Sequence, residues 1–182
     1  MSQNCYKERI IELLLKKHNH IRGLARDLKT NQTTISRKIK ELEKENIVDY
    51  VQEGSNKVYH LKKSIEAKQY VLIIEHHKLN QIIKKYPLLR NIIQKIQQHP
   101  KIQLALLFGS YAKKIAHEES DIDIYIETTN NELKKEIESL NTKLSIKIGK
   151  YNKNSILIKE IEKNHAVIKG TEKYYEKNKF FE

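Results

Sequence analysis

The sequence of 182 residues is poor in the residue types that cross-link or interrupt a chain. It contains one Cys, two Pro, five Gly and no Trp. The single cysteine, Cys5, cannot form an internal disulfide, so nothing indicates a cross-linked secreted scaffold. No apolar run approaches the roughly 20 residues of a membrane-spanning helix, and the longest strand-like run is LALLF at 104–108. We therefore expect a folded cytoplasmic protein that does not enter a membrane.

What the chain does contain is positive charge, and that charge is unevenly distributed. The 35 Lys and Arg exceed the 23 Asp and Glu, which gives a net charge of +12. Residues 1–63 hold 14 basic and 8 acidic side chains, residues 64–100 hold 6 and 2, and residues 101–182 hold 15 and 13. The asymmetry indicates that the N-terminal part meets a polyanion. A generally lysine-rich composition is the alternative explanation for the charge taken alone.

Three helices are predicted at the N-terminus, over Tyr6–Lys17, over Ile21–Leu28, and from about Thr33, with Thr33 or Thr34 as the N-cap. On a helical wheel of the third, Ile35, Ile39 and Leu42 form an apolar stripe. The side chains clustered opposite this stripe are Thr33, Ser36, Arg37, Lys40 and Lys44. Hydroxyl, guanidinium and ammonium groups of this kind contact phosphates and base edges in a major groove.

Two β-rich runs follow, at 47–51 and 58–61, and the Gly/Ser/Asn turn between them predicts a hairpin. The stretches IRGLARDLKTNQTTISRKIKELEKENIVDY and VQEGSNKVYHL resemble the winged helix-turn-helix family over residues 6–63. The resemblance implies that the third helix enters the major groove of double-stranded DNA and that the wing touches its backbone or minor groove. The DNA-binding residues would then be Thr33, Thr34, Ser36, Arg37, Lys40 and Lys57. A protein-interaction module with a solvated cationic face is the alternative.

Two helices are predicted in the middle of the chain, over Ser64–Lys85 and Leu88–Gln98, separated at Pro87. Their apolar residues cover more than one face, so the segment needs a second partner surface. We expect it to form a homodimer contact. Packing on the C-terminal part is the alternative.

From residue 101 the pattern becomes mixed. LALLF predicts a short buried strand, Gly109-Ser110 opens a helix, and SDIDIYIE predicts a second strand. Asp121 and Asp123 alternate with isoleucines and therefore share one strand face, about 6.6 Å apart. Two such carboxylates facing a Gly-Ser turn can hold Mg²⁺ and a triphosphate.

The string FGSYAKKIAHEESDIDIYI resembles the signature of the nucleotidyltransferase superfamily, the DNA polymerase beta-like fold, in its minimal members. The resemblance covers roughly residues 90–182. It implies that Asp121 and Asp123 bind Mg²⁺ or Mn²⁺ and are catalytic, and that Gly109 and Ser110 hold the phosphates of an NTP. Lys113 stands where such proteins commonly have a small residue and could steer phosphates instead. The implied reaction is attack on the α-phosphorus with release of pyrophosphate.

One departure from that family bears on activity. Its third carboxylate is expected on the next strand, Leu144–Ile148, where Ser145 or Lys147 takes the place of an acid. Glu127 lies about 13 Å along the strand from Asp123, too far to replace that carboxylate. Two hypotheses therefore stay open. One is a DNA-binding regulator whose second domain binds NTP with weak or lost transfer. The other is an active Mg²⁺-dependent transferase that modifies a protein, RNA or small molecule, as antitoxins that nucleotidylate a partner toxin do.

The predicted fold class is α+β, with a C-terminal mixed sheet flanked by helices. The predicted domains are a winged helix-turn-helix at 1–63, a helical connector at 64–98 and a nucleotidyltransferase-like domain at 99–182.

Overall fold

A computed structural model describes the backbone of residues 3–181 and the side chains of residues 6–181. The chain forms two compact units. The first contains the residues up to Ile74 together with Phe180 and Phe181, and the second contains Glu75–Lys179. Within the described residues, no helix is long and apolar enough to cross a membrane.

The first unit contains three helices followed by a hairpin and the beginning of a long helix. Its elements are α1 (Gln3–Lys16), α2 (Ile21–Asp27), α3 (Gln32–Lys44), β1 (Val48–Glu53), β2 (Asn56–Leu61) and the start of α4 (Ile65–Lys85). Ile35, Ile39 and Leu42 of α3 are completely buried, which confirms the apolar stripe of the wheel. The core therefore determines which face of α3 remains in solvent.

The N-terminus of α3 differs from the prediction. Asn31 is the N-cap, and its Oδ1 accepts a hydrogen bond from the backbone N–H of Thr34 at 2.7 Å. The prediction of Thr33 or Thr34 as the cap was wrong because the asparagine side chain already satisfies that N–H two to three residues earlier. Both threonines consequently lie in the first turn of α3.

The wing is a tight antiparallel hairpin in which Glu53 pairs with Asn56. Only Gly54 and Ser55 form the turn, and Gly54 has a φ of +59°, the left-handed conformation that a short hairpin turn requires. Tyr59 of β2 also exchanges two backbone hydrogen bonds with Asn19, of 3.1 and 2.8 Å. This exchange ties the wing to the loop between α1 and α2.

Ion pairs join α1 to the inner side of α3. Lys7 Nζ lies 2.6 Å from a carboxylate oxygen of Glu45 and 3.2 Å from one of Glu41. Glu41 also accepts from Lys38, whose residue surface is only 3% exposed. Lys38 is therefore part of the helix packing, although neighbouring cations on α3 face solvent.

The second unit is built on a four-stranded mixed sheet. Its elements after α4 are α5 (Leu89–Gln98), β3 (Ala105–Leu107), α6 (Gly109–Ala112), β4 (Ile122–Glu127), α7 (Asn131–Glu138), β5 (Leu144–Gly149), α8 (Ile156–Lys163), β6 (Ala166–Lys169) and α9 (Thr171–Lys177). The strand order is β5-β4-β3-β6. β4 and β5 are parallel, and the other pairs are antiparallel. The predicted α+β class with a mixed C-terminal sheet is confirmed.

The alternation along β4 separates the core from the acids. Ile122, Ile124 and Ile126 are completely buried in an apolar cluster that includes residues of α5 and α7. Because successive strand residues point to opposite faces, Asp123 lies on the other side of the sheet from this cluster. The fold thus presents Asp123 away from the apolar core.

Candidate functional site

A shallow groove of about 540 Å³ runs along the exposed side of α3. Its lining residues are Ile21, Gln32, Thr33, Ser36, Arg37 and Lys40. Four of the six residues predicted to contact DNA are therefore brought together on one surface. Thr34 does not line this groove.

A second groove, of about 350 Å³, lies between the start of α2 and the wing. Its lining residues are His20, Ile21, Arg22, Gln32, Ser55, Asn56, Lys57 and Tyr59. It shares Ile21 and Gln32 with the first groove, so the two form one continuous surface, here called the α3–wing groove. Lys57, the predicted wing residue, lies on it.

The cations of the α3–wing groove are available to a ligand. Among the described residues, neither Arg37 nor Lys40 makes an ion pair, and both are exposed. Lys57 Nζ lies 3.8 Å from the centre of the Tyr50 ring, an arrangement that orients the ammonium without neutralising it. The groove therefore presents at least three positive charges to solvent.

Sequence reasoning missed Arg22, His20 and Gln32 as groove residues. Arg22 lies in the first turn of α2, and His20 precedes that helix. Neither belongs to the amphipathic pattern of α3 that pointed to the other groove residues. Their place depends on the hydrogen bonds between Asn19 and Tyr59, a long-range contact that local periodicity does not reveal.

In the second unit, the turn after β3 lies directly against Asp123. Gly109 has a φ of +69°, and a Cβ placed on it would lie 2.3 Å from Asp123 Oδ2. The backbone N–H of Phe108 also donates to the Asp123 carbonyl at 2.9 Å. Only glycine fits here, because any side chain would displace the carboxylate. The structure thus places predicted residues Gly109 and Asp123 in direct contact.

The two carboxylates differ in their surroundings. Asp121 is exposed and immediately precedes β4, whereas Asp123 is half-buried within it. Burial and the negative charge of Asp121 raise the pKa of the Asp123 carboxyl, and the charge of Lys147 and a hydrogen bond with Ser145 counteract part of this shift. A cation placed between the two carboxylates would relieve their repulsion.

Ser110 lies on α6, which is a single turn of helix, and Lys113 is the C-cap residue that follows it. So short a helix has little macrodipole, so a phosphate here would depend on individual hydrogen bonds rather than on the helix end. Lys113 is exposed at the end of this turn. The next residue, Lys114, has a φ of +59°, so lysine occupies a backbone position that favours glycine.

The strand beside β4 carries no acid next to Asp123. In the parallel pairing of β4 with β5, Asp123 is opposite Ser145 and Tyr125 is opposite Lys147. Glu127 forms an ion pair away from Asp123, since its Oε1 lies 2.8 Å from Lys177 Nζ. In the part of the chain that the structure describes, no group of three or more His, Cys, Asp or Glu side chains could hold a metal.

Two family models match this chain. Residues 90–174 match the family described as Polymerase beta, Nucleotidyltransferase. Residues 7–50 match the family described as Bacterial regulatory protein, arsR family. The chain therefore combines an ArsR-like winged helix-turn-helix region with a nucleotidyltransferase-fold region, and the predicted pair of resemblances is confirmed.

Solved structures give weaker likenesses. The adhesin competence repressor of Streptococcus pyogenes is 21% identical with a TM-score of 0.41, over 47% of this chain and 65% of that one. A homodimeric winged helix-turn-helix DNA-binding domain of Mycobacterium bovis, described as a possible ArsR-family transcriptional regulator, is 19% identical with a TM-score of 0.38, over 53% of this chain and 77% of that one. The chain thus spans under two thirds of the repressor's length. A search of curated proteins finds no match.

Proposed function

We propose that this protein is a cytoplasmic, double-stranded-DNA-binding transcription regulator whose nucleotidyltransferase-fold domain binds an NTP with Mg²⁺. In this proposal residues 1–63 form the DNA-binding domain, residues 64–98 connect the domains, and residues 99–182 form the nucleotide-binding domain. The observation that carries the proposal is the α3–wing groove, with its exposed and unpaired cations.

Electrostatics and shape both favour DNA as the ligand of this groove. Arg37 and Lys40 stand on the solvent side of a helix that has the dimensions to enter a major groove. Thr33, Thr34 and Ser36 supply hydroxyl groups in the first turns of the same helix, and Lys57 lies on the wing side of the α3–wing groove. Cationic contacts of this kind go to phosphates, and the hydroxyl and guanidinium groups can also reach base edges.

The test is fluorescence anisotropy of a labelled promoter fragment at several salt concentrations. Replacing Arg37 and Lys40 together by Ala should lower affinity by at least about tenfold and reduce the salt slope by about two. The control is Lys16→Ala with Lys17→Ala, which removes the same charge from two exposed positions at and just after the C-terminal end of α1, outside the groove. Equal losses in the two double variants would contradict the groove assignment and leave only general charge.

The nucleotide site is proposed on the side of the sheet where Asp123 meets Gly109. Asp121 and Asp123 would hold Mg²⁺, and Gly109, Ser110 and Lys113 would contact the phosphates. The residues fit the ion, because Mg²⁺ needs only one or two carboxylates when waters and phosphate oxygens complete its shell. Bound there, Mg²⁺ would shield the phosphate charge. Burial, and after it the negative charge of Asp121, raises the pKa of Asp123, and a bound cation would offset both effects.

Binding with weak or lost transfer is the form we favour, because Ser145 stands where a third acid is expected opposite Asp123. A serine hydroxyl does not take a proton from a nucleophile at neutral pH. The alternative is an active enzyme that transfers NMP to a protein such as a toxin, an RNA or a small molecule. The contact of Gly109 with Asp123 supports that alternative, since a glycine there lets backbone approach the carboxylates where the phosphates of an NTP would lie.

Calorimetry with each NTP and Mg²⁺ tests nucleotide binding, and α-labelled NTPs with candidate acceptors test transfer. Asp123→Asn should abolish Mg²⁺-dependent binding while preserving side-chain volume. Glu132→Gln, an exposed carboxylate on α7, is the matched control. Label transfer by the wild type that Asp123→Asn abolishes would favour the enzyme over the regulator.

We also propose that the protein is a homodimer, with α4 at the contact. Ile65 and Ile73 on this helix are 71% and 58% exposed, which is unusual for isoleucine. A symmetric dimer would bind two DNA half-sites. Sedimentation should give twice the chain mass, and Ile73→Glu should give the monomer. A wild-type monomer at micromolar concentration would rule the dimer out.

A further inference from the structure

The strand beside the two carboxylates, β5, carries no acid and one exposed lysine, Lys147. We infer that the site takes one divalent cation with its nucleotide, and that the Lys147 ammonium supplies the positive charge that a second cation would bring. The inference rests on the proposed nucleotide site and specifies its ligand as an NTP with a single metal ion.

The pairing of β4 with β5 places Lys147 on the same face of the sheet as Asp123. In parallel strands, paired residues point to the same face, so Asp123 and Ser145 lie side by side. Lys147 is two residues further along β5, on that same face, and it is exposed. A lysine stem is long enough to bring its ammonium back over the roughly 6.6 Å between alternate residues of a strand.

The protein offers a metal ion only two anionic ligands at this site, counted among the described residues. Two carboxylates, Asp121 and Asp123, lie at the site, and Ser145 offers a neutral hydroxyl beside them. A second cation would be repelled by the first, and beyond the phosphates of the nucleotide it would need a further anionic ligand from the protein. Within the described residues no third His, Cys, Asp or Glu joins the two carboxylates in a metal-binding group.

The nearest further acid on this face does not meet that need. Glu127 is four residues along β4 from Asp123, and its Oε1 is paired with Lys177 and accepts from the backbone N–H of Tyr151 at 3.3 Å. Its carboxylate is therefore held at the other end of the strand.

Lys147 also brings positive charge to this face of the sheet. Lys147 lies on the face of Asp123, two residues from the strand partner Ser145, so the field of its ammonium reaches the Asp123 carboxylate. The same field opposes a second divalent cation and attracts the phosphates of a nucleotide. Lys147 thus favours nucleotide binding while limiting the metal count.

The experiment counts bound Mn²⁺ by electron paramagnetic resonance, with the full-length protein saturated by a non-hydrolysable NTP analogue. The wild type should bind one Mn²⁺ per chain. Lys147→Ala should still bind one but lose about tenfold in analogue affinity, whereas Lys135→Ala, an exposed lysine of α7, should change neither. Ser145→Asp should raise the count to two, with thermal unfolding as the check that this variant is folded.

Two Mn²⁺ per wild-type chain, or an affinity unchanged in Lys147→Ala, would overturn the inference while leaving the proposed nucleotide site intact. Absence of analogue binding to the wild type would instead overturn the proposed site, and the inference with it. If Ser145→Asp is unfolded, the wild-type count and the Lys147→Ala affinity still decide the question.

Discussion

The α3–wing groove differs in construction from the close contact between Gly109 and Asp123, here called the Asp123 crevice. In the groove, Arg37 and Lys40 are exposed on a surface whose shape follows from a helix and a hairpin. In the crevice, Asp123 is half-buried against the backbone of Gly109, with no room for an added methyl group. A surface of exposed cations tolerates shifts of a few tenths of an ångström, because charge acts over several ångströms. A crevice that holds a metal and phosphates does not.

The largest predicted effect tests the tightness of the crevice. In Gly109→Ala the new Cβ would displace the Asp123 carboxylate, so Mg²⁺-dependent nucleotide affinity should fall by on the order of 100-fold, comparable to what a 1 Å misplacement can cost a reaction rate. Calorimetry measures the affinity, and thermal denaturation reports the accompanying loss of stability.

The matched control for that substitution lies in the wing. Gly54 also has a positive φ, of +59°, but nothing lies within 4 Å of an added Cβ. Gly54→Ala should therefore carry only backbone strain, about 1 kcal/mol, and leave nucleotide affinity unchanged. Similar nucleotide affinities in the two variants would mean that the crevice is not tight.

An intermediate effect compares two lysines of α3 that lie two residues apart. Lys40→Met removes an exposed cation and should weaken DNA binding several-fold, with a salt slope smaller by about one. Lys38→Met removes a buried cation that pairs with Glu41, and DNA affinity should stay the same. Anisotropy titrations measure both, and a DNA defect in Lys38→Met comparable to that in Lys40→Met would show that net charge alone governs binding.

The smallest effect concerns stability and pH. The pKa of Asp123 is raised in the fold, so the folded state holds the proton more tightly than the unfolded chain does. Asp123 therefore lowers stability as pH rises from its ordinary pKa through the raised one, and the penalty is constant above that. Asp123→Asn should remove the penalty and raise the Tm by roughly 1–2 °C at neutral pH, after allowance for solvent screening.

Melting curves at several pH values in the absence of divalent metal check this prediction. The gain should shrink towards zero below the ordinary aspartate pKa, where both states are protonated in the wild type. A gain that is independent of pH would point to packing rather than charge.

Local sequence patterns predicted much of the structure of the first unit. The spacing of Ile35, Ile39 and Leu42 predicted the buried side of α3 because a helix has one periodicity whatever it packs against. The N-cap was misplaced because Asn31 and the two threonines are all good caps, and only the observed hydrogen bond distinguishes them. Arg22 and Gln32 escaped notice because their approach to the wing depends on distant contacts.

In the second unit, sequence motifs pointed to Gly109 and Asp123 as separate residues of one proposed site. Their contact arises from the turn between β3 and α6 and from the antiparallel pairing of β3 with β4. Whether Ser145 or Lys147 stands opposite Asp123 was open in the sequence, because the two residues share one strand face and a register shift of two residues would exchange them. The observed pairing places Ser145 there.

The sequence by itself determined the two kinds of region, the cationic helix and hairpin at the N-terminus and the alternating acids at the C-terminus, because charge and periodicity are local properties. Only the tertiary structure decided which groups meet. It joined the side of α3 to the wing in one groove, placed Asp123 against a glycine backbone, and set Ser145 and Lys147 on the face of the carboxylates. Such proximity depends on strand register and long-range hydrogen bonds, which no single segment of the sequence encodes.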